Sequence, residues 1–443
     1  MKNIFNNFSK LIIPVFIFVF SVQISKASGQ EELKSLSPDK FEKATKKSKK
    51  AIILDIRTPK EVAEGYIEGA EFADFWGDDF EQEISTLDKK KTYYVYCKSA
   101  IRTISATAKM KEMGLFGCLI APEYGGLGLS TVTYAKIIEH IAVVWMSVSG
   151  IINSHVIMAA ALQRNGTAAQ KQAFLPRFAT GELRGGIALT EPDCGTDLQA
   201  IRTTAVRDGE DYIINGNKMW ISNGIYGNCF AVLVKTDLNT SPRHKGMSLF
   251  IVEKSDAFRA SRKLEKLGYK GIDSAELVFD QCRVPANQLI GEKEGKGLQM
   301  ILNGLELGRI NVAARGVGVA QAAQNEAVKY SQQRKTFGKQ ICEHQAIQLK
   351  LGDMATRTEA SRLLTMRAAE AYDRGERCDM EAGMAKLFAT ESALENSMEA
   401  MRVHGGYGYV SDFPVERIYR DVRVCQIYEG TSDVQKIIIQ RAL

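Results

Sequence analysis

Between residues 185 and 285 apolar and polar positions alternate in period two, as in Thr203-Thr204-Ala205-Val206, Tyr212-Ile213-Ile214, Phe230-Ala231-Val232-Leu233-Val234 and Met247-Ser248-Leu249-Phe250-Ile251-Val252. Turn residues separate these runs, so the block predicts an antiparallel β domain. On both sides the period lengthens. Residues 131 to 180 read as long helices, and four amphipathic helices follow at roughly 297–333, 343–374, 379–403 and 414–441, punctuated by Gly or Pro; these predict a helical bundle. Ahead of residue 114 short apolar runs, Ile52-Ile53-Leu54 and Thr92 to Tyr96, alternate with helical stretches at Lys60 to Glu64 and Ser99 to Met113. That order predicts an α/β domain with a parallel sheet.

The first thirty residues follow other rules. Lys2 and Lys10 flank a polar start, Leu11 to Ile24 is apolar, and Ser25-Lys26-Ala27 or Ala27-Ser28-Gly29 offers small residues for cleavage. This is the grammar of an export signal over residues 1–29. The apolar run is shorter than the ~20 residues of a spanning helix and Pro14 interrupts it, so an uncleaved anchor, the one membrane contact expected, and a buried helix are the alternatives. Residues 30–50 are polar and lysine-rich and read as a linker.

Composition narrows the function classes. The chain has 443 residues, 45% of them hydrophobic, enough to bury about two or three cores. The net charge of +6 is spread along the chain; the one dense basic run, Lys46 to Lys50, lacks interleaved aromatics, which argues against nucleic-acid binding. Eight cysteines occur without a C-x-x-C pair, and five histidines lack metal-ligand spacing, so no metal is expected.

Four segments carry residue types that their secondary structure does not require. In Leu189-Thr190-Glu191-Pro192-Asp193-Cys194-Gly195-Thr196-Asp197 a strand enters a loop whose hydroxyls and free N–H groups could hold carbonyls and phosphates, or make an ordinary turn. In Asn215-Gly216-Asn217-Lys218-Met219-Trp220-Ile221-Ser222-Asn223-Gly224, Asn-Gly predicts a hairpin turn, and the next strand offers Trp220 and Ser222 to a flat ring or to plain core. Arg334-Lys335-Thr336-Phe337-Gly338-Lys339, with Glu343-His344-Gln345, joins a phosphate clamp to an aromatic surface, or is a solvated helix end. The last is His404-Gly405-Gly406-Tyr407-Gly408-Tyr409 followed by Ile427-Tyr428-Glu429-Gly430-Thr431-Ser432-Asp433, where glycines allow close backbone approach beside one carboxylate.

Together these segments resemble the acyl-CoA dehydrogenases from about residue 114 to 443, most specifically in Trp220-Ile221-Ser222-Asn223-Gly224 and Tyr428-Glu429-Gly430-Thr431-Ser432. The resemblance implies a helical domain (114–184), a β-barrel (185–287) and a helical bundle (288–443), assembled as a homotetramer around FAD. It implies α,β-dehydrogenation of a short or short-branched acyl-CoA thioester, within fatty-acid or amino-acid catabolism, with an electron-transferring flavoprotein as acceptor. Thr190 and Ser222 match hydroxyls bonded to the flavin ring, with Trp220 beside it; Thr196 faces pyrophosphate or CoA. Arg334, Phe337, Gln345, Arg402 and Gly406 match residues reaching the adenosine half of a neighbour's FAD, and Thr431 and Asp433 cap the cofactor near the catalytic turn. Glu429 matches the base that takes the α-proton. Some family members place the glutamate on an earlier helix, at the position of Gly308 here. Glu306 falls on another face of that helix, as a surface or CoA-facing group, and Arg309 is a structural or substrate-side cation.

Residues 51–113 resemble a second family, the rhodanese-type sulfurtransferases, through Leu54-Asp55-Ile56-Arg57-Thr58-Pro59, Gly65-Tyr66-Ile67-Glu68-Gly69-Ala70 and Tyr96-Cys97-Lys98-Ser99-Ala100-Ile101-Arg102-Thr103. Cys97 at a helix N-terminus near Arg102 would be favoured as thiolate. Tyr66, Glu68 and Ala100 depart from that family's His, Pro and Gly. The end of the sulfurtransferase pattern and the start of the dehydrogenase pattern are both missing and meet at Lys111-Glu112-Met113-Gly114, which suggests a recombinant joined within 108–118. The expectation is thus a multi-domain chain, a truncated rhodanese-like α/β domain ahead of an acyl-CoA dehydrogenase fold. Its rival functions are sulfur transfer through Cys97 or an inactive composite. Location divides likewise: the signal predicts export to the periplasm, the dehydrogenase chemistry the cytoplasm.

Overall fold

The computed structural model describes residues 110–443 and the backbones of five short strands before them. The linker over 30–50 outside Leu33–Ser35, most of the signal segment, the helix at Lys60 to Glu64, Cys97 and Arg102 lie outside the described residues. The chain divides into two units, Met1–Ser105 and Ala106–Leu443.

In the first unit β1 (Phe20–Val22), β2 (Leu33–Ser35), β3 (Ala51–Asp55), β4 (Glu71–Phe72) and β5 (Thr92–Tyr96) form one sheet in the order β2-β1-β5-β3-β4. The two apolar runs read as strands are β3 and β5. They pair in parallel from Ala51 opposite Thr92 to Asp55 opposite Tyr96, as expected of an α/β sheet.

The second unit runs helix, sheet, helix. A 35-residue α1 (Thr131–Asn165) and α2 (Ala168–Ala179) come first. Ser130 caps α1, its side chain accepting from the N–H of Thr133, and Thr167 caps α2 in a reciprocal pair with Gln170. Trp145, at φ −163° and ψ 107°, breaks α1 into two helical segments. Next come β6 (Gly185–Ala188), β7 (Thr204–Asp208), β8 (Asp211–Ser222), β9 (Cys229–Lys235), β10 (Met247–Glu253), β11 (Phe258–Lys263) and β12 (Ser274–Pro285). The sheet follows β10-β9-β7-β8-β12-β11, with β6 added in parallel on β9. The expected closed barrel is therefore an open, curled sheet with β10 and β11 at its edges.

The runs in β9 and β10 are almost continuously apolar because each face of the sheet enters a different core. Ala231, Leu233, Leu249 and Ile251 join a cluster with Phe174, Leu175 and Phe178 of α2. Phe230, Val232, Val234 and Phe250 face the opposite way, with Phe258 and Phe279, whose rings stack at 4.3 Å. Strands buried on both faces lose the polar half of the alternation.

The expected hairpin at Asn215-Gly216 does not form: β8 runs straight through both residues, and the turn sits earlier, between Asp208 and Asp211. A Cβ on Gly216 would lie 2.6 Å from Thr203 Oγ1, and Asn215 Oδ1 accepts from the N–H of Gln281 at 2.8 Å where β12 shifts register. The pair thus serves a close approach and a bulge rather than a turn.

A 37-residue α3 (Gly297–Gln333) forms the axis of the bundle, against which α1, α4 (Gln345–Asp373) and α5 (Asp379–His404) pack. Small side chains carry these contacts: Ala313, Ala320 and Ala323 on α3, and Ala385, Ala389 and Ala393 on α5, are all fully buried. The expected last helix is two. α6 (Val415–Val422) and α7 (Ser432–Ala442) are separated by a turn in which Glu429 (φ 54°) and Gly430 (φ 90°) leave the right-handed region, and Thr431 caps α7.

Leu233→Ala opens a cavity between β9 and α2 and is expected to cost about 2–5 kcal/mol, read by denaturant titration. A cost below about 1 kcal/mol would show that this face is not tightly packed.

Candidate active site

The broken C-terminal helix delivers one carboxylate into the bundle. Gln435 Nε2 donates to the carbonyls of Glu429 (3.1 Å) and Gly430 (3.0 Å), and Lys386 Nζ on α5 donates to Gly430 at 2.8 Å. So held, Glu429 points at α3, where a Cβ on Gly308 would lie 2.0 Å from its Oε2. Any side chain at 308 would displace the carboxylate. The glycine position and the glutamate position singled out in the sequence are one place in space.

From α1, Asn153 Nδ2 donates to Oε1 at 2.5 Å. Oε2 is buried and has no hydrogen-bond partner. Burial pushes the Glu429 carboxyl above its ordinary range, and Arg315, Asn153, Arg309 and Lys386 pull the other way without cancelling it. A carboxylate shielded from water, with one lone pair uncommitted, is a proton acceptor awaiting a donor.

Glu306, expected at the surface or facing CoA, is buried, with the Cys378 thiol 3.8 Å from its Oε2. Burial and then the Asp379 charge hold its carboxyl up. Arg309 is buried with Nη1 3.6 Å from Asp379, a structural cation close to the base.

The second part of the site lies on the sheet. The N–H of Met219 donates to the Thr190 carbonyl at 2.8 Å, joining two of the singled-out segments. Beneath them Lys218 is fully buried, its Nζ 2.8 Å from Glu191 and 2.9 Å from the Leu189 carbonyl. Glu191 also accepts from the N–H groups of Arg202 (2.6 Å) and Thr203 (3.0 Å) and from the Thr203 hydroxyl (2.6 Å). Above this pair Trp220 stands at φ 64° and is 60% exposed, beside half-buried Thr190 and Ser222. A large aromatic left open between two hydroxyls fits a planar heterocycle. Thr196 is exposed on the same loop, and Gly195 meets nothing closer than Thr190 Cγ2 at 3.9 Å. Asn223 ties this region to α1, donating to the carbonyls of Ile151 (3.0 Å) and Gly185 (2.9 Å).

The remaining candidates gather at one end of the bundle. Arg334 follows α3, Phe337 tops a tight turn between β13 (Lys335–Thr336) and β14 (Lys339–Gln340) with 97% of its surface open, and Gln345 begins α4. Arg402 and Gly406 close α5, and the stacking of His404 on Tyr330 at 4.2 Å brings the ends of α5 and α3 together. Arg402 is exposed and paired with Glu399, and Gly406 has open space where a side chain would go. Thr431 spends its hydroxyl capping α7, and Asp433 is exposed and paired with Lys436 at 3.0 Å.

Asn153, Arg315, Lys386 and the Glu191–Lys218 pair escaped sequence reasoning. A signal existed for two of them: Lys386 lies in the small-residue stripe Ala382, Ala385, Ala389, and Arg315 lies among Val312, Ala313, Ala314 and Val317. A lone cation on a buried face is unexpected there.

A buried, unpartnered carboxylate oxygen on Glu429 and an open aromatic surface at Trp220 are two chemically unusual features of this unit. The acyl-CoA dehydrogenase N-terminal, middle and C-terminal domains match residues 74–182, 186–282 and 295–443. The first of these matches begins inside the stretch that carries the sulfurtransferase-like motifs. An acyl-CoA dehydrogenase of Bacillus subtilis is 41% identical over 76% of this chain and 88% of its own. A short-chain specific acyl-CoA dehydrogenase of Clostridium acetobutylicum is 38% identical over 75% and 87%. A chain from the structure of the electron transferring flavoprotein of Acidaminococcus fermentans superposes with a TM-score of 0.73 at 40% identity, over 75% of this chain and 88% of that one. The chain belongs to the acyl-CoA dehydrogenase family, FAD-dependent oxidoreductases that act on the CH–CH bond of acyl-CoA thioesters.

Glu191→Leu leaves the Lys218 ammonium buried without its carboxylate and is expected to cost about 3–5 kcal/mol and to lower FAD content. Adding Lys218→Met should recover most of that loss in a melting experiment. Equal stability of wild type and the single variant would remove the pair from the framework of the site.

Proposed function

We propose that Glu429 is the base of an FAD-dependent dehydrogenation of a short or short-branched acyl-CoA, taking the α-proton of the thioester. The observation that carries this reading is the buried, unpartnered Oε2 set against Gly308.

An α-proton of a thioester is too weakly acidic for a carboxylate in water, so the charge developing on the carbonyl oxygen needs a donor. The Glu429 backbone N–H is the candidate from this chain. Burial raises the proton affinity of Glu429 towards neutral pH, which strengthens it as a base, while Asn153 keeps Oε1 occupied and leaves Oε2 to the substrate. Bound FAD supplies acceptance of the β-hydride, chemistry that no side chain offers. Thr190, Ser222 and Trp220 would hold its ring, with Thr431 and Asp433 capping it near the Glu429 turn, Thr196 towards its pyrophosphate or the CoA, and Arg309 on the substrate side.

Arg334, Phe337, Gln345, Arg402 and Gly406 present an exposed cationic and aromatic surface to the adenosine half of FAD in a second subunit, consistent with a homotetramer. Likeness to a chain from an electron-transferring-flavoprotein structure supports such a flavoprotein as electron acceptor. The short-chain specific relative supports the chain length.

A second reading concerns the first unit. Cys97 follows directly on β5, which pairs in parallel with β3, and this supports a sulfurtransferase-like element in which Cys97 is the candidate nucleophile and Arg102 follows it in sequence. Thiocyanate formation from thiosulfate and cyanide, lost in Cys97→Ser, would support it; its absence in the intact chain would end it.

Glu429→Gln is expected to slow flavin bleaching by butyryl-CoA about 10²–10⁴-fold, and Gly308→Glu with Glu429→Gly to regain part of the rate. Bleaching of Glu429→Gln at the wild-type rate would sink the assignment.

The pH sign follows from the direction of the shift. Glu429 acts only when ionised, so the rate rises with pH through a value above the ordinary carboxylate range. Because the folded-state value exceeds the unfolded one, ionising Glu429 costs stability as pH rises. Glu429→Gln should therefore melt higher than wild type at pH 7, and the gap should vanish at pH below about 4, where the acid is protonated in both states.

A further inference from the structure

Arg315 is a fully buried arginine that forms no ion pair among the described residues. Its Nε donates to Asn311 Oδ1 at 2.6 Å, and its Nη1 donates to the hydroxyls of Tyr269 (2.7 Å) and Tyr428 (2.9 Å). Asn311 in turn donates to the Tyr134 hydroxyl at 2.6 Å. One guanidinium thus ties α1, α3, the loop before β12 and the C-terminal turn. Its Nη2 is buried without a partner, as is Oε2 of Glu429, the residue next to Tyr428. Gly308, Asn311 and Arg315 fall on one face of α3, at i, i+3 and i+7.

A buried guanidinium needs a counter-charge. The acids that face it are Tyr269, Tyr428, Cys425 and Glu429. Burial pushes the first three upward, Tyr269 to about 12, so they are neutral near pH 7. Glu429 is the group left to carry the negative charge. Around Glu429 stand Arg309 and Arg315 on α3, Lys386 on α5, Tyr134 on α1 and Tyr269 on the loop. Lys386 is committed to the Gly430 carbonyl and Arg309 to Asp379.

We propose that Arg315 is a positioning residue for the base: through Tyr428 it fixes the turn that carries Glu429, and it supplies the buried positive charge opposite that carboxylate. The proposal rests on the reading of Glu429 as base. It has a chemical consequence. Arg315 offsets part of the cost that burial puts on the ionised carboxylate, so it eases release of the transferred proton to solvent once the product has left.

The test is the pH dependence of butyryl-CoA-driven flavin bleaching in the FAD-loaded full chain, for wild type, Arg315→Met, Arg315→Lys and Tyr428→Phe. Arg315→Met removes the charge, so the acid limb of the rate should move up by about one pH unit or more, with kcat at pH 7 down about tenfold and KM changed less than about twofold. Arg315→Lys keeps the charge and should hold the limb near wild type while losing part of the rate. Should Arg315→Met fail to take up FAD, Tyr428→Phe, with the guanidinium intact, should lower kcat several-fold and leave the limb in place. A wild-type limb in Arg315→Met, equal shifts in the Met and Lys variants, or an unchanged kcat in Tyr428→Phe would each overturn the proposal alone. A wild-type protein that holds FAD and is not bleached would overturn the reading of Glu429 with it.

Discussion

The burial of one carboxylate constrains the whole second unit. Oε2 of Glu429 is buried, and a carboxylate oxygen in that position is costly unless its surroundings are arranged around it. α3 presents a glycine at 308, and a methyl group there would push Oε2 out of its present place. The backbone must leave the helical region at Glu429 and Gly430, and Gln435 and Lys386 bind the carbonyls that the turn exposes. Left-handed backbone at a bulky residue is strained by roughly 1–3 kcal/mol, which persists only where neighbours over-determine it. The small-residue faces of α3 and α5 let those neighbours close in.

Much of this order is legible along the chain. Helix extents in the bundle and strand positions in the sheet follow largely from periodicity, because burial imposes a repeat on each element. The misreadings share a cause. Asn-Gly signals a hairpin only where the chain is free to turn, and in β8 the close passage of Thr203 took precedence. The expected single last helix is broken by backbone at Glu429 and Gly430 that leaves the helical region, which the local pattern of apolar residues does not signal. Glutamate and glycine at the site were readable by motif. Asn153, Arg315 and Lys386 were not, since their roles depend on which helices meet, and local pattern does not carry that.

The flavin side obeys a different rule. Thr190, Ser222 and Trp220 converge because the N–H of Met219 pairs with the Thr190 carbonyl, so backbone pairing sets the spacing of side chains that sequence alone could name but not assemble. Arg334, Phe337, Gln345 and Arg402 gather without touching that cluster, at the far end of α3 and α5. Phe337 there is 97% exposed, whereas the first cluster is backed by the chain's own sheet, so the two groups of residues lie on separate surfaces.

Two buried carboxylates in the same unit show what separates framework from chemistry. Both face desolvation as the largest influence and both have cations nearby. Glu191 has Lys218, two backbone N–H groups and a hydroxyl on its oxygens, and these overcome burial, so its carboxyl is held below the usual range. Glu429 has one amide on one oxygen and a guanidinium held off by two tyrosines, and its carboxyl is held above that range. A saturated carboxylate has nothing left to offer a proton; an unsaturated one of raised proton affinity does. Pairing Glu429 as fully as Glu191 would hold its carboxyl down in the same way. What separates the two is therefore how many donors reach the oxygens: four on Glu191, one on Glu429.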